Sequence, residues 1–249
     1  MQHIIALSGG KDSTALALRM RESYPELDFQ FVCTPTGNEL PEMEAHWFAL
    51  EGILKQPIIR IMPFGLGDGL MRIIEQEQMI PNYRARFCTR KLKIEPMIKY
   101  LKESAPCIHY VGLRADEEAR QGIYGDIEGV THQFPLQDWG WTIHDVWSYL
   151  DHQNITIPKR TDCGLCFFQR LDEWKYLLDN HRDRYKDGEA IEHQIGGTFR
   201  SPKRDTWPAD LTGLRNEFEA GRPLRLSAQA KRAMQENCDR DLFCRVCTL

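Results

Sequence analysis

One heptapeptide limits what this chain can fold into more than any other feature. Ser8-Gly9-Gly10-Lys11-Asp12-Ser13-Thr14 follows an apolar run, His3 to Leu7, that reads as a strand. It opens a segment from Ser13 to Tyr24 in which Leu16, Ala17 and Met20 share one helical face. Adjacent glycines let the backbone turn tightly and let a ligand approach it closely. Successive N–H groups then converge on one cavity suited to phosphate oxygens, and the helix N-terminus adds partial positive charge. Lys11 supplies a full charge, and the Ser8 and Ser13 hydroxyls supply further hydrogen bonds. Asp12 suits such a site only if it pairs with Lys11 or holds Mg²⁺.

The spacing differs from the Walker loop, which places four residues between its first glycine and the Gly-Lys pair. It differs also from the dinucleotide fingerprint. Further along, Phe29–Cys33, Pro57–Met62, Ile108–Gly112 and Phe134–Leu136 read as strands, and Glu39–Leu54, Lys91–Glu103 and Thr142–His152 as helices. Strand and helix alternating at this spacing predict an α/β, Rossmann-like fold, a parallel sheet with helices on both faces. After about Pro158 the pattern turns helical and irregular, with cysteines, tryptophans and charges mixed. The expected organisation is therefore a nucleotide-binding domain over 1–158 and a smaller, helical, cysteine-rich region over 159–249. The stretch Ser201 to Pro208 carries too much proline for a helix interior.

With 249 residues and a net charge of -4, the chain is long enough for a sizeable core and too acidic to coat nucleic acid by bulk charge. A local basic groove remains compatible, from Arg84, Arg86, Arg90, Lys91 and Lys93 or from Arg200, Lys203 and Arg204. No apolar run approaches the roughly 18 residues that span a membrane. The first residues lack the basic and long apolar stretches of a signal peptide, so a cytoplasmic protein is expected.

Ser-Gly-Gly-Lys-Asp-Ser in a strand–loop–helix context resembles the PP-loop ATP pyrophosphatases. Four later segments, in the right order, resemble the phosphoadenosine-phosphosulfate reductase family. They are Thr34–Glu42, Cys88–Pro96, Gly112–Arg120 and Phe134–Trp139 followed by Thr142 and Tyr149. The resemblance covers roughly residues 4–155. It implies that Ser8, Gly9, Gly10, Lys11, Asp12 and Ser13 hold a triphosphate with Mg²⁺, and that Thr34, Thr36 and Gly37 border the adenosine. It implies also that Lys91, Arg114 and Arg120 meet phosphate or a developing anion. Two departures bear on the activity. The family commonly has an aspartate where this chain has Pro35. The sulfonucleotide reductases carry a degraded phosphate loop and a C-terminal Glu-Cys-Gly-type segment, whereas this chain keeps Lys11 and Asp12 and shows no such segment.

Eight cysteines suggest metal or redox chemistry in a reducing compartment. Cys163-Gly164-Leu165-Cys166 and Cys244-Arg245-Val246-Cys247 each have the spacing that brings two thiolates to one metal, with Cys238 nearby. The expected ligands are Cys163, Cys166, Cys238 and Cys244, for either zinc or an iron–sulfur cluster. Cys88 is a cluster ligand, a sulfur carrier or a buried thiol. The chain also resembles the PP-loop sulfurtransferases of DNA phosphorothioation in its full loop, its cysteine–lysine–proline block and its later cysteines. That resemblance implies ATP cleavage to AMP and pyrophosphate, sulfur transfer to a nucleic-acid or nucleotide acceptor, and a sulfur-donor protein as partner, with Lys11, Asp12, Cys88 and Arg114 as catalytic candidates. Two alternatives stand beside it: a sulfonucleotide reductase needing no ATP, and a nucleotide-binding subunit without turnover. Oligomeric state is not legible.

Overall fold

The computed structural model describes residues 1–65, 67–117 and 124–224. Five strands form one sheet: β1 (Gln2–Ala6), β2 (Phe29–Cys33), β3 (Ile58–Arg60), β4 (Cys107–Tyr110) and β5 (Val130–Gln133). The spatial order is β3-β2-β1-β4-β5, and every pairing is parallel. The helices in chain order are α1 (Lys11–Ser23), α2 (Pro41–Leu54), α3 (Gly69–Glu77), α4 (Phe87–Thr89), α5 (Glu95–Ser104), α6 (Pro135–Asp138), α7 (Ile143–His152), α8 (Leu171–Asn180), α9 (Arg182–Ile195) and α10 (Leu211–Glu219). A π-helical turn, Arg90–Ile94, joins α4 to α5. No helix among the described residues is long and apolar enough to cross a membrane.

Alternation along the strands divides the core between the two faces of the sheet. Ile5, Phe29 and Phe31 pack with α1, α2 and α7, while Ile4 and Val32 turn to the other face against Met97 and Leu101 of α5. A further apolar cluster is built by α8, α9 and α10 around the fully buried Trp174 and Tyr185. It takes in Leu70, Ile73 and Ile74 of α3, and Phe87 and Leu92. The helices after residue 158 thus share a core with residues far before it.

The sheet order sets the functional geometry. From β1 the chain moves outward to β2 and β3, then returns to the other side of β1 as β4. The loops after β1 and β4 diverge at this point, which is where open α/β sheets bind ligands.

One expected strand is corrected. Phe134–Leu136 is not a strand: the edge strand is Val130–Gln133, and Pro135 opens the short helix α6. Pro135 has no N–H to give a ladder and a fixed φ suited to the first helical turn. The helix expected from Glu39 starts at Pro41, because Glu39 turns back to bind its own loop. The helix expected from Lys91 begins as the π turn and becomes α-helical at Glu95.

Candidate functional site

The glycine loop occupies the gap between β1 and α1 and is held from beneath by α2. Gly9 has φ +86°, and a Cβ there would lie 2.2 Å from Met43 Cε and 2.6 Å from Trp47 Nε1. Trp47 donates from Nε1 to the Ser8 carbonyl at 3.0 Å. Inside the loop, Ser13 Oγ accepts from Gly9 N at 3.2 Å and donates to the Gly10 carbonyl at 3.1 Å. Ser8 and Ser13 hydroxyls lie 3.0 Å apart. No side chain caps α1, so the first N–H groups of that helix keep their capacity for an anion.

The loop after β4 closes on this one. A Cβ on Gly112 would sit 3.1 Å from the backbone carbonyl of Asp12, so only glycine lets the two loops touch without a shift. Two residues on, Arg114 places Nη1 3.0 Å from both carboxylate oxygens of Asp12. Its Nε donates to Asp116 at 2.8 Å, and its Nη2 pairs with Glu117 at 3.4 Å. Lys11 Nζ lies 3.3 Å from Asp12. Although burial opposes charge on the Arg114 guanidinium, Asp12 and the neighbouring acids hold its pKa above the ordinary value. Arg114 is 2% exposed and meets carboxylates. Its geometry is that of a brace for Asp12.

Beyond β2, Glu39 Oε1 accepts from Thr36 N and Thr36 Oγ1, both at 2.7 Å, and its Oε2 accepts from Gly37 N at 2.9 Å. Gly37 has φ +76°, and a Cβ would fall 1.9 Å from the Gly67 carbonyl oxygen. Thr34 lies at the carboxyl end of β2, half-buried. Lys91 pairs with Glu77 of α3.

Thr36 also walls a cleft of about 470 Å³ that is open to solvent. Cys88, Cys163 and Cys166 line it, together with Thr89, Lys93, Asp162, Phe167 and Phe168. The sequence left Cys163 and Cys166 to pair with the later cysteines or with Cys88; the fold brings Cys88 to them. Cys238, Cys244 and Arg120 lie outside the described residues. Within the Cys163–Cys166 pair, the thiol of Cys163 hydrogen-bonds to Cys166, which lowers the Cys166 pKa and raises that of Cys163. Burial pushes the Cys88 thiol up, with Cys166 adding to the effect and Lys93 opposing it. Burial alone would lower the pKa of Lys93, but Cys163 and Asp162 outweigh it and the net direction is upward.

Among the described residues, no three His, Cys, Asp or Glu side chains are arranged around a metal position. The donor set nonetheless fits in kind: three soft thiols on one open cleft suit zinc or an iron–sulfur cluster. Asn38, Asp116 and Glu117 went unassigned in the sequence, and Lys93 figured there only in a basic cluster. Lys93 shares the basic block with Lys91, and the acids stand two and three residues after Arg114. Nothing in the sequence singled out Asn38.

The profile of the phosphoadenosine phosphosulfate reductase domain matches residues 2–171. The chain belongs to the phosphoadenosine phosphosulfate reductase family. Within curated relatives, two uncharacterized proteins of Methanocaldococcus jannaschii are similar. One is 28% identical over 174 residues, covering 67% of this chain and 39% of the relative. The other is 24% identical over 217 residues, covering 75% and 43%. The chain therefore spans about two fifths of the length of these relatives. Among solved structures, the phosphoadenylyl-sulfate reductase of Candida auris, in a phosphate complex, superposes with a TM-score of 0.50 at 14% identity, over 63% of this chain and 75% of that one. That likeness shows the family's fold. The U34-tRNA thiolase NcsA of Methanococcus maripaludis, with its 4Fe-4S cluster, gives a TM-score of 0.47 at 17% identity, over 100% of this chain and 80% of that one. A likeness of that strength assigns no residue a role.

Proposed function

We propose that the protein cleaves ATP between its α- and β-phosphates to adenylate an acceptor, and that sulfur held at the thiol cleft then displaces AMP. The observation that carries this reading is that the complete Lys11-Asp12 loop and the Thr36–Asn38 loop, which walls the three-thiol cleft, follow the adjacent parallel strands β1 and β2. The family's substrate chemistry joins an adenosine phosphate to sulfur, and this arrangement offers a place for each.

In the first step an acceptor oxygen attacks the α-phosphorus and pyrophosphate leaves. The loop N–H groups and Lys11 stabilise the charge that builds on the departing phosphates, and Mg²⁺ carried with ATP neutralises pyrophosphate. Arg114 holds Asp12, and Asp12 holds Lys11, so the ammonium stays at the loop. In the second step sulfur bonds to the activated acceptor atom, and AMP departs with the former acceptor oxygen. Cys88, Cys163 and Cys166 would hold a cluster or zinc, which when bound supplies a site for sulfide. Lys93 keeps a positive charge beside the sulfur nucleophile.

Phe168, which lines the cleft, and the Tyr83–Arg86 segment support a nucleic-acid or nucleotide acceptor. Arg86 stacks on Phe168 at 5.0 Å, and Arg84 stacks on the exposed Tyr83 at 5.3 Å. Cations interleaved with aromatic faces suit bases and their phosphates.

The test is ATP labelled at the α-phosphate, incubated anaerobically with protein, sulfide and RNA or DNA. AMP and pyrophosphate formed in step with a thiolated acceptor support the reading, and Lys11→Ala abolishes both. Family membership favours a second reading, reduction of a sulfonucleotide. It is distinguished by sulfite released from an adenylyl sulfate without ATP. Tight ATP binding with no pyrophosphate would instead mark a non-catalytic subunit.

A further inference from the structure

The loop after β2 and the thiol side are joined through one buried amide that neither chemistry uses. Asn38 is fully buried at the end of the loop after β2. Its carbonyl accepts from Gly164 N at 2.6 Å, and its Oδ1 accepts from Leu165 N at 3.0 Å. Nδ2 donates to Asp68 Oδ2 at 2.5 Å. Asp68 in turn caps α3 through Met71 N at 3.0 Å and pairs with Arg184 of α9 at 2.9 Å. The backbones pass so closely that a Cβ on Gly164 would lie 3.1 Å from the Asn38 carbonyl and 3.3 Å from its Oδ1.

The rest of the cysteine turn is fixed to match. Arg160 donates to the Cys163 carbonyl at 3.0 Å, and Gln169 donates from Nε2 to the Gly164 carbonyl at 2.5 Å. Thr161, two residues before Cys163, has its hydroxyl 3.8 Å from where a Gly10 Cβ would stand. The segment carrying the thiols therefore passes near the Gly10 turn at one end and is hydrogen-bonded to the β2 loop at the other. Both places lie on backbone that an adenosine triphosphate in the β1–β2 crevice would meet.

We propose that Asn38 is a positioning residue that ties the Cys163–Cys166 turn to the Thr36–Gly37 wall, so that ATP in the crevice alters the reactivity of these two thiols. The ATP-dependent part rests on the proposed function above; the tethering part does not. Such coupling between two sites is reciprocal, so sulfur chemistry at the turn also feeds back on nucleotide affinity. One side-chain hydrogen bond, from Leu165 N to Asn38 Oδ1, holds the turn, and a second, from Nδ2 to Asp68, holds Asn38 in place; losing both loosens the turn.

The experiment is iodoacetamide alkylation of the full-length protein, followed cysteine by cysteine with mass spectrometry, with and without Mg-ATP. ATP binding is measured separately by equilibrium dialysis. In the wild type, Mg-ATP shifts the alkylation rates of Cys163 and Cys166 by about threefold or more. Asn38→Ala raises their ATP-free rates roughly tenfold, the scale of one to two lost hydrogen bonds, and removes the ATP response. Cys33 and Cys107, both buried, stay slow and report that the fold is intact. If they too become reactive, Asn38→Asp decides: it keeps an acceptor for Leu165 N but sets a carboxylate against Asp68, and loss of the ATP response there supports the proposal. Turn thiols in either folded variant that react like the wild type, with ATP still bound, overturn it. If ATP does not bind the wild type, the proposed function fails while the tether is still judged on the ATP-free rates. An unchanged Asn38→Ala rate then sinks the tether as well.

Discussion

Asp12 shows how a residue and its chain neighbour can stand out in sequence while a distant partner does not. Spacing alone marked Lys11 and Asp12 as a phosphate-loop pair. Arg114 stands 102 positions from Asp12 in the chain, and no local pattern announces that their loops meet. Its neighbours Asp116 and Glu117 gave the nearest signal, because three carboxylates around one guanidinium indicate a buried brace. Removing one member of such a pair leaves an uncompensated buried charge, which costs about 3–5 kcal/mol. Arg114→Met is therefore expected to lower unfolding free energy in urea by that order. Arg114→Lys retains the charge without the fork that serves Asp12 and Asp116 together, and should fall between Arg114→Met and the wild type. Equal urea midpoints for Arg114→Met and wild type would show that the brace contributes nothing. Gly37 makes a sharper case. With φ +76° and a Cβ position 1.9 Å from the Gly67 carbonyl, Gly37→Ala must displace backbone, and a loss of about 1–3 kcal/mol is expected. A thermal melt unchanged from wild type would contradict that.

At the scale of elements, legibility followed composition. The strands β1 and β2 were plain because they are apolar and buried on both faces. The edge strand β5 reads Val-Thr-His-Gln, too polar to stand out, and the more apolar residues after it drew the expectation forward. The helix α3 was hidden behind a glycine-rich approach and became visible only through its packing on α8–α10. On β4 and β5, His109 and His132 face each other with Nδ1 atoms 3.0 Å apart. Burial holds the His109 pKa down to about 3 from an ordinary 6.5, with His132 adding to the effect, and burial lowers His132 as well. The folded state thus disfavours the proton. The pair's contribution to stability is present above about pH 6.5 and is lost as pH falls from there toward 3. A melting temperature that drops on acidification from pH 7 to pH 5, with a shallower drop in His109→Phe, is the expected result. Parallel pH profiles for the two proteins would remove His109 from the account.

For the whole molecule, the sheet order and the cysteine positions together decide what the fold can do. The Ser8–Ser13 loop that leads from β1 into α1 was legible because its pattern is local. The cleft was half legible: the Cys163–Cys166 spacing declared itself, while Cys88 joins them only because the π turn at Arg90–Ile94 and the α8–α10 core bring distant segments together. A ligand that binds only the folded state raises stability by mass action. Mg-ATP should therefore raise the melting temperature of the wild type and leave that of Lys11→Ala unmoved. Cys163→Ser should reduce the iron, sulfide or zinc of anaerobically purified protein, and undiminished metal would remove Cys163 from the ligand set. The most direct test of the central claim is the fate of α-labelled ATP given to anaerobic protein with sulfide and nucleic acid. Joint action of the loop and cleft predicts AMP, pyrophosphate and a thiolated acceptor in equal amounts, all lost in Lys11→Ala, with the thiolated product lost in Cys163→Ser. Intact ATP alongside sulfite released from an adenylyl sulfate would contradict it.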